Sequence, residues 1–211
     1  MLNSGEKRFL GLCIGSSTVS SVLMRKADSK TDAIGTNRLP HYGRPRETLQ
    51  VILDSISKDD IDSFAIVRRG NAPNNGVPVL TEAEAVEYAY SYFVGKDGGY
   101  EAIVSAGATN FMVYLLDRHG HIARVYSGNK CASGTGEFFL QQIGRMGLTL
   151  DEATGQAISE TNPYRVSGRC SVFCKSDCTH ALNKGVEKSR VVSGLCGMMA
   201  ERITTDRKSV V

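Results

Sequence analysis

The sequence predicts an α/β fold built from two lobes. Three observations carry that reading. Short apolar runs alternate with segments of helical periodicity through the chain. A strand–turn–strand pattern with Gly15-Ser16-Ser17 at the turn opens it. A small-residue loop, Gly128-Asn129-Lys130-Cys131-Ala132-Ser133-Gly134-Thr135-Gly136, leads straight into a helix. The chain has 211 residues, enough for one large domain or two small lobes.

Phe9–Gly15 reads as a buried strand, and Val19–Met24 as its return. Asp28–Pro40 holds a turn and a third strand. Residues 44–57 form a helix with Leu49, Ile52, Leu53 and Ile56 on its apolar face. Phe64–Val67 is a short buried strand, and Arg69–Pro78, rich in Asn, Gly and Pro, is a loop. Thr81 and Glu84 have capping-box spacing for a helix running to about Phe93, with Tyr88, Tyr90 and Tyr92 as packing and rim residues.

Tyr100–Tyr126 reads as one hairpin, entering through Ala102–Val104, turning at Asp117–Gly120 and returning through Ile122–Val125. Phe139, Leu140, Ile143 and Met146 give helical spacing after Gly136. Thr149 caps the next helix. Cys170, Cys174 and Cys178 recur every fourth residue, so on a helix they share a face, the outer two roughly 12 Å apart along its axis. One cubane cluster is too small to be held by both ends of that row. Val186–Ile203 is a final helix burying Val191, Val192, Leu195, Met198, Met199 and Ile203, with Cys196 packing on the same side.

The bulk composition excludes several classes. A net charge of +3 with no basic run argues against nucleic acid. No apolar run reaches the roughly 18 residues of a membrane span, and residues 1–8 lack a signal-peptide core. A soluble cytoplasmic protein is expected. The six cysteines do not read as a disulfide framework, because a chain of this size needs no staples. Metal or redox use in a reducing compartment fits them better. A cysteine at a helix N-terminus sits where an anion or thiolate is favoured, although by residue type alone such a cysteine is a small core side chain. His41, His119, His121 and His180 lack metal-ligand spacing and read as surface or turn residues. No Walker A sequence is present, because the glycine-rich loop lacks Gly-Lys-Ser/Thr.

Two stretches, Gly128–Glu137 with Cys131 and Gly168–Cys178 with Cys170, together resemble the BadF/BadG/BcrA/BcrD-type ATPases, activators of 2-hydroxyacyl-CoA dehydratases. Cys131 matches the cysteine of that family's NDKCAAGTG-like loop, and Cys170 that of its CTVF-like stretch. The resemblance covers about residues 8–203, and Gly128–Met146 looks most like the first activator-like repeat of the large fused members. It implies the actin/hexokinase/Hsp70-like superfold with ribonuclease H-like lobes, the second lobe incomplete. Residues 1–8 would be an N-terminal tail, 9–100 the first lobe, 101–205 the start of the second with the cysteine motifs, and 206–211 a non-native tail that matches an adapter-encoded peptide. The family's later Gly-Gly adenosine motif does not occur in these residues, so a C-terminal truncation is expected.

The resemblance further implies one [4Fe–4S] cluster shared between two subunits, or two repeats of one chain, with Cys131 and Cys170 as this chain's metal ligands. It implies phosphate-binding positions at Gly15, Ser16, Ser17, Gly107, Gly134 and Gly136, ATP with Mg²⁺ as a second cofactor, and a dehydratase or related reductase as electron acceptor. In the family, nucleotide hydrolysis changes the angle between subunits and drives a low-potential electron into that acceptor. Cys174 and Cys178 inherit no role.

The sequence departs from the family's nucleotide motifs. Cys13 stands at the aspartate position and Ser20 at the lysine position of the first phosphate motif. Ser105 and Asn110 replace carboxylates in the second, where only Gly107 survives. A thiol is a poor ligand for hydrated Mg²⁺. No catalytic residue is assigned, and a degenerate ATPase lobe is expected. The alternatives are a non-hydrolysing scaffold or electron-relay half of a fused activator, and a sugar or acyl kinase of the same superfold.

Overall fold

The structure is a computed structural model. It describes residues 6–57, 61–68, 76–94, 99–109, 111–127, 135–168 and 170–208, with side chains as far as 204. The chain divides into two compact units, residues 1–98 and 99–211.

In the first unit, β1 (Glu6–Ile14) pairs antiparallel with β2 (Thr18–Ala27), which pairs antiparallel with β3 (Lys30–Pro40). After α1 (Pro45–Asp54) the chain adds β4 (Ser63–Arg68) parallel to β1, and β5 (Val79–Leu80) parallel to β4. The sheet order is β3-β2-β1-β4-β5. Leu10 and Leu12, two apart on β1, turn the same way and bury with Val19 and Ile52. That period sets the register that brings Cys13 opposite Ser20. α2 (Glu82–Val94) starts in the expected capping box: the Thr81 N–H and hydroxyl donate to the Glu84 carboxylate, and the Glu84 N–H donates to the Thr81 hydroxyl.

The second unit opens with β6 (Ala102–Ala106), β7 (Phe111–Leu116) and β8 (Ile122–Ser127), an antiparallel meander in that order. This corrects the single hairpin read from the sequence. The run Phe111–Leu116 is a central strand, with Phe111, Val113 and Tyr114 buried, so the turn at 117–120 joins β7 to β8. Four helices follow: α3 (Gly136–Arg145), α4 (Leu150–Ser159), α5 (Ser171–Asn183) and α6 (Lys188–Lys208). Their shared core holds Phe138, Ile143, Met146, Cys174, Cys178, Val191, Val192 and Leu195. α4 carries a full capping box between Thr149 and Glu152.

α6 is fixed against the 160–168 segment. The Tyr164 N–H donates to the Arg190 carbonyl at 2.8 Å, and the Arg190 Nε donates to the Asn162 carbonyl at 2.8 Å. A Cβ on Gly194 would overlap the Tyr164 carbonyl oxygen, so only glycine admits this crossing. Cys196 is exposed rather than packed. It follows the buried Leu195 by one residue, about 100° around the helix, and that step carries it off the apolar stripe. No described helix is long and apolar enough to cross a membrane.

Candidate functional site

Gly15-Ser16-Ser17 forms the tight connection between β1 and β2. The Gly15 N–H donates to the Thr18 carbonyl at 2.9 Å, and a Cβ on Gly15 would come within 3.1 Å of that oxygen. Glycine therefore permits the close turn. Ser16 is exposed and Ser17 half-buried at the tip. Cys13 is exposed beside it, level with Ser20 across the strand pair.

Gly107 lies in the turn between β6 and β7, and its carbonyl helps seat a helix. The Gly136 N–H donates to the Gly107 carbonyl at 3.0 Å, and the Glu137 N–H to the Ala108 carbonyl at 3.0 Å. The Phe138 N–H is taken by the hydroxyl of Thr135, the N-cap of α3, at 3.3 Å. The first three donors of α3 are thus held inside the protein. Cys131 and Gly134 lie outside the described residues, as does Asn110.

Cys170 is the N-cap of α5, in extended backbone geometry with φ −153° and ψ 149°. It stands one position ahead of the helix, so the three-cysteine row on one helix face reduces to two helical cysteines behind a capping one. Its carbonyl accepts the Cys174 N–H at 2.9 Å, and its side chain is half-buried. α3 and α5 border one open cleft of about 640 Å³. Thr135 from the start of α3 and Ser171 from the start of α5 both line it, with Gln142, Arg145 and Lys175 along its walls.

Cys174 and Cys178 face inward from α5, fully buried in the helical core. A hydrogen bond with the neighbouring Cys178 side chain, and then burial, push the Cys174 thiol far above its ordinary range. Such a thiol is inert at neutral pH. The segment leading to Cys170 is tied at two points the sequence did not signal: the Ser167 N–H donates to the Asp177 carboxylate at 2.8 Å, and Arg202 donates to the Gly168 carbonyl. Among the described residues, no group of three His, Cys, Asp or Glu side chains could hold a metal ion.

The model of the BadF/BadG/BcrA/BcrD ATPase family matches residues 10–211. The chain belongs to this family. It is 24% identical over 212 residues to a benzoyl-CoA reductase subunit of Thauera aromatica, covering 95% of this chain and 72% of that one. It is 20% identical over 203 residues to the 2-hydroxyisocaproyl-CoA dehydratase activator of Clostridioides difficile, covering 93% and 74%. The solved structure of the activator of the 2-hydroxyisocaproyl-CoA dehydratase from Clostridium difficile with bound ADPNP superposes with a TM-score of 0.80 at 18% identity, covering 97% of this chain and 76% of that one. The fold is the actin/hexokinase-like α/β fold of these activator ATPases.

Proposed function

We propose that this chain is an activator-type iron–sulfur component that delivers low-potential electrons to a 2-hydroxyacyl-CoA dehydratase or a related reductase. One observation supports this above the others. The helix that follows Cys131 in the sequence and the helix capped by Cys170 border the same cleft, α3 along its length from Thr135 to Arg145 and α5 over its first turn from Ser171 to Lys175. Cys131 stands four positions before Thr135, a stretch that spans at most about 14 Å. Cys170 itself caps a helix start, where the backbone dipole favours a thiolate.

Cys170 fits a cluster: it is half-buried, outside the sealed core, and has no side-chain cap bond. Two cysteines from this chain leave two ligands to be supplied by a second copy or a second repeat. When bound, a [4Fe–4S] cluster held by four thiolates carries one electron at low potential. Thr135 and the Gly107 turn orient the start of α3, and Arg202 and Asp177 hold the segment ahead of Cys170.

The nucleotide side fits less well. Gly15, Ser16 and Ser17 keep the shape of a phosphate turn, but Cys13 offers no carboxylate to a hydrated Mg²⁺ and Ser20 no cation to a phosphate. These two replacements favour a second reading, in which the chain is a non-hydrolysing electron-relay half of a larger activator.

The test is anaerobic reconstitution of the full chain with iron and sulfide. Wild type and Cys13→Ala should develop cluster absorbance with about four irons per two chains, and Cys131→Ala and Cys170→Ala should not. A full cluster in both of the latter variants removes the ligand assignment.

A further inference from the structure

We infer that His41 is a positioning residue that fixes the backbone of the Gly15–Ser17 turn for phosphate binding. The inference rests on the reading of that turn as a nucleotide loop. His41 follows β3 and reaches back across 26 residues to the turn. Its backbone N–H donates to the Ser17 carbonyl at 3.0 Å. Its ring makes two further contacts: the Gly43 N–H donates to Nδ1 at 3.1 Å, and Nε2 lies 3.3 Å from the Gly15 carbonyl oxygen.

These contacts settle the tautomer. Nδ1 accepts a hydrogen bond, so the neutral ring carries its proton on Nε2. Nε2–H then donates to the Gly15 carbonyl. The ring is held from behind by Gly43, whose φ of +85° is a left-handed conformation that glycine adopts without strain. His41-Tyr42-Gly43 is thus a bracket against the turn, and the half-buried imidazole is its rigid arm.

The consequence follows from the planarity of the peptide bond. In a trans peptide the C=O and the next N–H point in opposite directions. With the Gly15 carbonyl drawn toward the imidazole, the Ser16 N–H on the same peptide plane is aimed away from it. The Ser17 carbonyl is drawn the same way by the His41 backbone. Both peptides flanking the tip are therefore prevented from flipping a carbonyl outward, which would repel a phosphate. A turn of this kind binds an anion through oriented N–H dipoles, and His41 sets their orientation without touching the nucleotide.

Two conservative variants separate the contacts. His41→Gln keeps a donor near the Nε2 position, and His41→Asn keeps an acceptor near Nδ1 but cannot reach Gly15. The full ¹⁵N-labelled chain is studied by long-range ¹H–¹⁵N correlation of the ring, by amide shifts and exchange at Gly15–Thr18, and by ADP titration. The expected result is an Nε2–H tautomer, with turn amides shifted and exchanging faster in His41→Ala and His41→Asn but near wild type in His41→Gln. ADP binding should weaken about three- to tenfold in the first two variants and stay within about twofold in the third. Unchanged turn amides in His41→Ala, or identical behaviour of the Gln and Asn variants, overturns the inference. Absence of ADP binding in the wild type overturns the nucleotide reading instead, and the turn amides still decide the role of His41.

Discussion

Gly136 donates its N–H to the Gly107 carbonyl at 3.0 Å, and a Cβ on Gly136 would stand only 3.1 Å from that same oxygen. One glycine thus fastens the helix that follows Cys131 in the sequence to the turn between β6 and β7. A methyl group there pushes backbone against backbone, which relaxes less easily than a side chain. Gly136→Ala should cost about 1–3 kcal/mol by overpacking. Gly144, on the same helix, is the control, because a methyl group there would meet nothing within 4 Å. Gly144 lies in the last turn of α3, so Gly144→Ala should stabilise by up to about 0.5 kcal/mol, less than the gain in a helix interior. Urea denaturation of the two variants checks both signs, and equal effects would remove the close-approach argument.

Acid should destabilise the fold through its caps. Glu84, Glu152 and Glu160 are held below the usual carboxylate range, each chiefly by backbone N–H donors: those of Thr81, Thr149 and Asn162 respectively. Asp117 is lowered in the same way by the N–H groups of His121 and His119. The folded values lie below the unfolded ones, so the stability these groups add is complete above the ordinary carboxylate value of about 4. It is lost as the pH falls through the lower folded values. Urea midpoints measured from about pH 6 downward should drop over that window. The joint variant Glu84→Gln, Glu152→Gln should flatten the acid limb, and an unchanged slope would exclude the caps as its source.

The thiols should sort by burial. Cys174 and Cys178 lie in the helical core, and the Cys174 thiol is pushed far upward. Neither should be alkylated by iodoacetamide until the chain unfolds. Cys196 is accessible at the surface, but burial around its sulfur pushes its thiol up as well, which lowers the thiolate fraction and slows attack. Peptide mapping after timed alkylation should therefore find Cys13 modified ahead of Cys196, and Cys174 and Cys178 last. Early labelling of Cys174 would mean that α5 opens locally far below the global unfolding energy.

Most elements are legible in the sequence because their signals are local. Thr81 with Glu84, and Thr149 with Glu152, mark helix starts by spacing alone, and both boxes form. β7 escapes for a physical reason: Phe111–Leu116 is buried on both sides, so it lacks the alternation that marks a half-exposed strand. Cys196 is misplaced by periodicity because one helical step, about 100°, is enough to leave an apolar face. His41 gives no signal at all. Its partner Gly15 is 26 residues away, and the pairing exists only once β1, β2 and β3 lie in register. The site itself is half legible. Cys170 can be singled out by its context, but its place as an N-cap depends on where α5 begins.

The hairpin should bind nucleotide without help from a hard cation. In the β1–β2 register Cys13 faces Ser20, and residues 13–20 contain no carboxylate. The Cys13 thiol does not replace the oxygen anion that orders a hydrated Mg²⁺. ADP affinity should therefore change by less than about twofold when EDTA replaces Mg²⁺, beyond the effect of metal on free ADP itself. For the same reason, phosphate release from ATP by the chain alone should not exceed the uncatalysed background. Cys13→Asp restores one oxygen ligand at the end of β1 and should introduce a Mg²⁺ dependence of binding without restoring turnover, since Ser105 still stands where the second motif carries a carboxylate. A Mg²⁺-dependent, steady ATPase in the unaltered chain would show that other groups hold the cation and that Cys13 and Ser20 are not the reason for silence.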